Sequence, residues 1–208
     1  MTDRPILFSA PMVRAMLDGR KTQTRRVLTG KSGITPAHRV ERAGQSWLAC
    51  EYDRRWPLRL PYVPGDRLWV KETWRAWTMH DADRPADLPR DLSIQYAADD
   101  ARQLPWDSRT RSPIHMPRWA SRLTLTVTDV RVQRLQEISD DDALAEGVAS
   151  VGGRYLDEFS GCWHSCTVAE FRGLWNSING PEAWDANPWV VAVTFDVAHG
   201  NIDQVPHD

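Results

Sequence analysis

The segment from Gly19 to Arg26 gathers residue types that can do chemistry. It reads Gly-Arg-Lys-Thr-Gln-Thr-Arg-Arg, so the amine of Lys21 and the hydroxyl of Thr24 lie three residues apart. A hydroxyl is a weak nucleophile until a neighbouring base removes its proton, and a lysine amine is such a base only where burial lowers its pKa. Arg26 adds a cation that could bind an anion or a substrate carbonyl.

Tryptophan is a second chemical signal, because the chain has 11 Trp against 4 Tyr and 4 Phe. These residues are spread from Trp47 to Trp189, so they belong to no single tail or repeat. Flat aromatic rings can fill a core, or they can stack on bases in a groove without reading their sequence. Both interpretations stay open at this point.

A metal or nucleotide cofactor is not expected. Cys162, His164 and Cys166 suggest a metal by their closeness, but structural zinc sites take ligands from more than one short run, and no second cluster is present. The sequence contains no P-loop, no glycine-rich dinucleotide loop and no Gly-x-Ser-x-Gly motif.

The elements around the first segment must position its side chains. Residues 6–8 read as a strand, and a short helix follows Ser9, with Pro11 in its first turn and Gly19 at its end. A strand is expected after this glycine. Because strand residues alternate between faces, Lys21 and Thr24 can converge only if Lys21 still belongs to the turn.

The rest of the chain predicts an α+β fold. The expected elements are strands at 67–74, 121–133 and 189–197, a short helix after Ser139 that ends before Gly147, and a helix from Thr167 to Asn179. Two long inserted loops are expected at about 29–64 and 76–118. Since helices and strands do not alternate regularly, we expect one domain, residues 1–208, with a mostly antiparallel β-barrel and short helices outside it.

Composition limits the class of protein. A net charge of -2 over 208 residues excludes a nucleic-acid coat held by bulk charge. No apolar run approaches the roughly 20 residues needed to cross a bilayer, and no signal peptide is visible. Three cysteines, an odd count, argue against a disulfide framework. We therefore expect a cytoplasmic protein with no membrane partner.

Residues 19–26 fit the pattern G-x-K-x-x-x-x-R and resemble the signature of the ASCH domain, a family with a PUA-like β-barrel. Four further segments resemble those of phage and prophage ASCH proteins in the same order: 65–74, 114–122, 138–147 and 171–193. The resemblance covers most of the chain outside parts of the two inserts and the tail. It implies that the expected barrel is PUA-like.

The resemblance also implies an activity. Small bacterial ASCH amidohydrolases remove the acyl group from N4-acetylcytidine, with a proposed Lys, Thr and Glu triad that matches Lys21, Thr24 and Glu146 here. The implied function is a metal-independent amidohydrolase acting on N4-acylated cytidine or a related modified pyrimidine nucleoside. Thr24 favours this branch, because the family motif often has Glu at that position. The two long inserts depart from those compact enzymes.

Two schemes fit the three residues. In one, neutral Lys21 activates Thr24 while Glu146 orients them; in the other, Glu146 activates water while Lys21 and Thr24 stabilise the oxyanion. Burial lowers the pKa of a lysine and a nearby carboxylate raises it, so the sequence does not rank the two schemes. Each residue also has a plain interpretation, as a solvated lysine, an ordinary strand threonine and a solvent-facing helix glutamate.

Five residues are candidates for substrate binding. Arg26 could bind substrate or pair with Glu72 inside the barrel. Trp74 shares a strand face with Glu72 and could be a stacking ring or part of the core. Arg118 could bind a phosphate and Trp119 could stack on a base, or both residues could anchor their loop.

The resemblance implies a small nucleoside or nucleotide as the partner, and the low net charge favours a small ligand over a long polymer. The alternatives are a non-catalytic RNA- or DNA-binding PUA-like module that reads modified bases, and a ribonuclease. Both alternatives would involve RNA or single-stranded nucleic acid. The sequence does not indicate an oligomeric state.

Overall fold

The computed structural model describes residues 2–28, 38–42, 45–49, 55–57, 60–99, 108–149, 153–157 and 162–206. Three α-helices lie in this part of the chain: α1 (Ala10–Leu17), α2 (Asp140–Ala145) and α3 (Cys166–Asn179). The strands are β1 (Asp3–Leu7), β2 (Gln23–Val27), β3 (His38–Arg42), β4 (Gln45–Ala49), β5 (Arg55–Pro57), β6 (Arg67–Lys71), β7 (Trp74–Arg75), β8 (Gln95–Tyr96), β9 (Leu123–Arg134), β10 (Arg154–Asp157), β11 (Cys162–Ser165) and β12 (Trp189–His199). Among these described residues, no helix is both long and apolar enough to cross a membrane.

The chain divides into two compact units. The first unit consists of residues 1–22, 64–128 and 195–208, and the second consists of residues 23–63 and 129–194. Strands β9 and β12 belong in part to each unit, because the division falls within their residue ranges.

The largest sheet has the hydrogen-bonded order β1-β6-β9-β12-β2. In the first unit β1 runs parallel to β6, and β6 runs antiparallel to β9. In the second unit β2 runs antiparallel to β12, with Thr24 opposite Val193. A mostly antiparallel sheet with helices confirms the α+β class. The expected closure into a barrel is not seen in the described residues, because β1 and β2 end the order as open edges.

Helix α1 leads directly into the segment that the sequence singled out. Ser9 lies at its N-cap position and Pro11 lies in its first turn, but in the described part of the chain the Ser9 side chain makes no capping hydrogen bond. Gly19 then adopts φ +71°, a conformation that glycine allows without strain, and the Lys21 amide donates to the Ala15 carbonyl at 3.0 Å. Lys21 therefore lies between the end of α1 and the start of β2, as its convergence with Thr24 requires.

Helix α2 forms as its sequence predicts. The hydroxyl of Ser139 accepts a hydrogen bond from the Asp142 amide at 3.1 Å, and three aspartates occupy the first turn at the positive end of the helix dipole. Glu146 is the C-cap residue, and Gly147 follows at φ +90°. In the second unit α2 packs against α3 and β2, so Glu146 is carried at the end of a helix that lies on β2.

The two inserts contain regular elements. The first holds the antiparallel sheet β3-β4-β5, and the second contributes β8, which pairs with β7. In the first unit Leu88, Met116 and Ala120 pack against the fully buried Trp74. The insert at 76–118 is therefore not an open loop, since part of it closes a small core around this indole. Its apolar residues follow no helix or strand period, so no local pattern predicted this packing.

Candidate functional site

Strand β2 presents polar side chains to a buried environment in the second unit. Gln23, Thr24 and Arg25 are all buried, although β2 is an edge of the sheet. Strand alternation places Thr24 and Arg26 on one face and Gln23 and Arg25 on the other. Buried polar groups need hydrogen-bond partners, so the contacts of each residue show what the strand is built to hold.

The Thr24 hydroxyl is one exception to this rule, and Nε of Arg25 on the same strand is another within the described part of the chain. Thr24 is 1% exposed, and its Oγ1 makes no hydrogen bond within the described part of the chain. Burying a hydroxyl without a partner costs on the order of 1–3 kcal/mol. A catalytic or ligand-binding role is one explanation of an unpaired buried hydroxyl. In the described residues the indole nitrogens of Trp74 and Trp175 lack hydrogen-bond partners as well.

Glu146 lies against the same strand. It is 4% exposed, and its Oε1 accepts a hydrogen bond at 3.1 Å from Nη1 of Arg25, a residue 121 positions away in the chain. Arg26 also interacts with this carboxylate. Burial lowers the pKa of Arg26, while the charges of Glu146 and Tyr62 act to raise it. The structure thus brings Arg26 and Glu146, two of the predicted site residues, into one electrostatic group.

Lys21 belongs to the first unit and is fully buried. Its Nζ lies 5.7 Å from the centroid of the Phe8 ring. It is therefore not the solvated surface lysine that the sequence allowed, and burial is the condition that its use as a base requires.

Glu72 has its own partners in the first unit. The carboxylate is 1% exposed and accepts hydrogen bonds from Nε and Nη2 of Arg122 at 2.9 and 3.1 Å. Arg122 also donates to Asp99 at 2.7 Å and lies 3.9 Å from the Tyr96 ring centroid. Burial raises the pKa of Glu72, against the opposing effect of Arg122, and burial raises the pKa of Tyr96 to about 12.

The other predicted binding residues of the first unit make anchoring contacts. Trp74 is fully buried in the core cluster, and Trp119 packs against the same cluster. Arg118 donates to Asp3 and to Asp203, each at 2.6 Å, and these hydrogen bonds raise its pKa. These contacts are the packing and loop-anchoring roles that the sequence left open for Trp74, Arg118 and Trp119.

Several residues of these two groups were not predicted from the sequence. In the second unit they are Gln23, Arg25 and Asp142, and in the first unit they are Tyr96, Asp99 and Arg122. Gln23 and Arg25 stand inside the signature segment, and this position is the signal that could have marked them. The other four residues give no local signal, because their contacts join segments that are distant in the chain.

Metal ligation finds no support in the described residues, which contain no group of three His, Cys, Asp or Glu side chains able to hold a metal ion. Cys166 is a free cysteine. The side chains of Cys162 and His164, the other members of the Cys-x-His-x-Cys run, lie outside the described part.

No family model matches the chain, and no curated protein matches it. One solved structure is similar: the crystal structure of protein EF3133 from Enterococcus faecalis V583, of family DUF984. The two share 13% identity over 100% of this chain and 86% of that one, with a TM-score of 0.41. This likeness is too distant to transfer a function.

Proposed function

We propose that this protein is an ASCH-type amidohydrolase of the cytoplasm, with a PUA-like barrel, that removes an acyl group from N4-acylated cytidine or a related pyrimidine nucleoside without a metal. One observation carries the proposal. The buried Thr24 hydroxyl has no hydrogen-bond partner among the described residues, and the next two residues of its strand, Arg25 and Arg26, both interact with Glu146.

In the proposed reaction Thr24 Oγ1 attacks the acyl carbon and its proton passes to the neutral amine of Lys21. The tetrahedral oxyanion then collapses, the bond from carbon to N4 breaks, and the Lys21 ammonium returns the proton to the departing nitrogen. Cytidine leaves and the acyl group stays as an ester on Thr24. Water hydrolyses the ester, which releases the carboxylic acid and restores the hydroxyl.

Glu146 orients the other groups in this scheme. Its carboxylate already accepts a hydrogen bond from Arg25, which holds it in one geometry. A fixed, ion-paired carboxylate suits an orienting role better than that of a proton acceptor, which must be released to react. This contact is the reason to prefer the scheme in which Lys21 is the base.

Arg26 supplies positive charge in the same group. A preorganised cation stabilises the oxyanion that forms when a carbonyl is attacked. The half-buried guanidinium follows Thr24 by two residues on the same strand face, so a carbonyl held near the hydroxyl would lie on the Arg26 side of β2.

The charges of the first unit favour a small substrate over a polymer. Arg118 is paired with two carboxylates, those of Asp3 and Asp203, and Arg122 is paired with those of Glu72 and Asp99. A nucleic-acid surface needs cations that can neutralise successive phosphates. Arginines already paired with acids in this way contribute little to such a surface.

The test is turnover of N4-acetylcytidine, with cytidine and acetate measured by chromatography. We expect the wild type to release both products, with no loss of rate in EDTA. Thr24→Val, which keeps the shape and removes the hydroxyl, should lose about a thousandfold or more in kcat. Lys21→Met and Glu146→Gln should each lose about a hundredfold or more.

Thr22→Val is the matched control, because it makes the same substitution two residues earlier and should leave kcat within about threefold. Absence of turnover by the wild type overturns the proposed function. Salt-dependent binding of oligonucleotides that Thr24→Val leaves intact would instead identify a nucleic-acid-binding module.

A further inference from the structure

We propose that Arg25 is a positioning residue of the proposed reaction, which fixes the Glu146 carboxylate against the strand that carries Thr24 and Arg26. The inference rests on the proposed function and adds a residue to it. Strand alternation places the Arg25 side chain on the face opposite Thr24, so Arg25 acts through Glu146 rather than by touching the substrate.

The guanidinium of Arg25 is held on several sides. Its side chain is 0% exposed. Nη1 donates to Gln23 Oε1 at 2.6 Å and to Glu146 Oε1 at 3.1 Å, while Nη2 donates to Asp142 Oδ2 at 2.8 Å. The guanidinium carbon lies 5.7 Å from the centroid of the Phe171 ring. These contacts hold the planar guanidinium of Arg25 in one orientation. The ammonium group of a lysine, on its flexible side chain, would not reproduce them.

The two acids that Arg25 bridges lie one turn apart on α2. Residues at i and i+4 of a helix share a face, so Asp142 and Glu146 present a pair of carboxylates to one guanidinium. Asp142 is the fixed end of this bridge, because it also accepts from Arg131 Nη2 at 2.7 Å and from Gln23 Nε2 at 3.1 Å.

The charge state of Asp142 agrees with this anchoring role. Partial burial acts to raise its pKa, but the hydrogen bonds from Arg131 and Gln23 and the charges of Arg25 and Arg131 leave the pKa below its ordinary value. Asp142 thus stays anionic and accepts a hydrogen bond from Nη2 of Arg25. The hydrogen bond from Nη1 sets the position of Glu146 at the C-terminal end of the helix.

Arg25→Lys tests this role, because it keeps the charge and loses the fork. With N4-acetylcytidine as substrate we expect kcat to fall about thirtyfold, with KM within about threefold, since orientation rather than binding is lost. Arg25→Met should lose more in kcat than Arg25→Lys, because it removes the positive charge as well as the planar guanidinium. In a Glu146→Gln background Arg25→Lys should cost little further in kcat, because both changes remove one interaction.

Arg172→Lys is the matched control, because it makes the same substitution at an exposed arginine of the second unit, which pairs with Asp185. It should leave kcat within about threefold. An equal fall in kcat in Arg172→Lys and Arg25→Lys would show a general structural effect and overturn the inference. Additive losses of kcat for Arg25→Lys and Glu146→Gln would overturn it as well.

A measurement without substrate separates this inference from the proposed function. In urea unfolding, the midpoint of the Arg25→Met/Glu146→Gln double variant should fall by less than the sum of the two single falls. If the wild type has no turnover, both the proposed function and the positioning role of Arg25 are refuted, whatever values the urea midpoints take. A wild type with turnover and additive midpoints would remove the inference alone and leave the proposed function standing.

Discussion

Removal of Arg122 should destabilise the protein in a way that depends on pH. The arginine makes two hydrogen bonds to Glu72, whose carboxylate is 1% exposed. Arg122→Met leaves this charge buried without its partner. Breaking a buried ion pair by removing one member costs about 3–5 kcal/mol, and the partial exposure of Arg122, 24%, puts the expected loss near the lower end, at about 3 kcal/mol.

The pH dependence follows from the pKa of Glu72, which burial raises and Arg122 lowers. A carboxyl whose pKa is higher in the folded state binds its proton more tightly there. Its contribution to stability is therefore full below its ordinary pKa of 4.5 and is lost as pH rises through the folded pKa. Without Arg122 the folded pKa rises further, so the deficit of Arg122→Met should be large at about pH 8 and small at about pH 4.

The assay is urea unfolding of the wild type, Arg122→Met and the double variant Arg122→Met/Glu72→Gln at both pH values. The double variant leaves no buried charge without a partner, so it should recover most of the lost stability at about pH 8. A deficit of the same size at both pH values, or a double variant no more stable than Arg122→Met, would refute this reasoning.

Two further predictions separate stability from activity. Thr24→Val should leave the free energy of unfolding unchanged or raise it by up to about 1 kcal/mol, because the buried Oγ1 makes no hydrogen bond in the described part of the chain, whereas turnover is lost; a clear loss of stability in urea would mean that the hydroxyl has a structural partner. Ser139→Ala should cost about 1 kcal/mol, because it removes the hydroxyl that caps α2 at the Asp142 amide; an unchanged melting temperature would count against that cap.

Local signals predicted the elements that carry the site. Gly19 ended α1 with φ +71° and left Lys21 in the turn, and Ser139 capped the helix that ends at Glu146. Each of these features depends on a few neighbouring residues, so it can be predicted from the sequence alone. The α+β class follows from the same local patterns.

The contacts of the site could not be predicted in this way. Arg25 and Glu146 are 121 residues apart, and Glu72 and Arg122 are 50 residues apart, so each pair depends on how whole segments pack. The sequence placed Arg26 with either Glu72 or a substrate, whereas in the structure Glu72 pairs with Arg122 and Arg26 interacts with Glu146. The closed barrel was expected from the order of helices and strands and from the resemblance to a family, and the described strands form a sheet with two open edges.

The measurement that tests the central claim most directly is rapid-quench mass spectrometry of the wild type mixed with N4-acetylcytidine. The account predicts that cytidine is released together with a transient acetyl group on the peptide that contains Thr24, and that Thr24→Val shows neither. Release of cytidine with no acetyl group on Thr24 would contradict attack by the hydroxyl, and absence of cytidine would contradict the proposed activity itself.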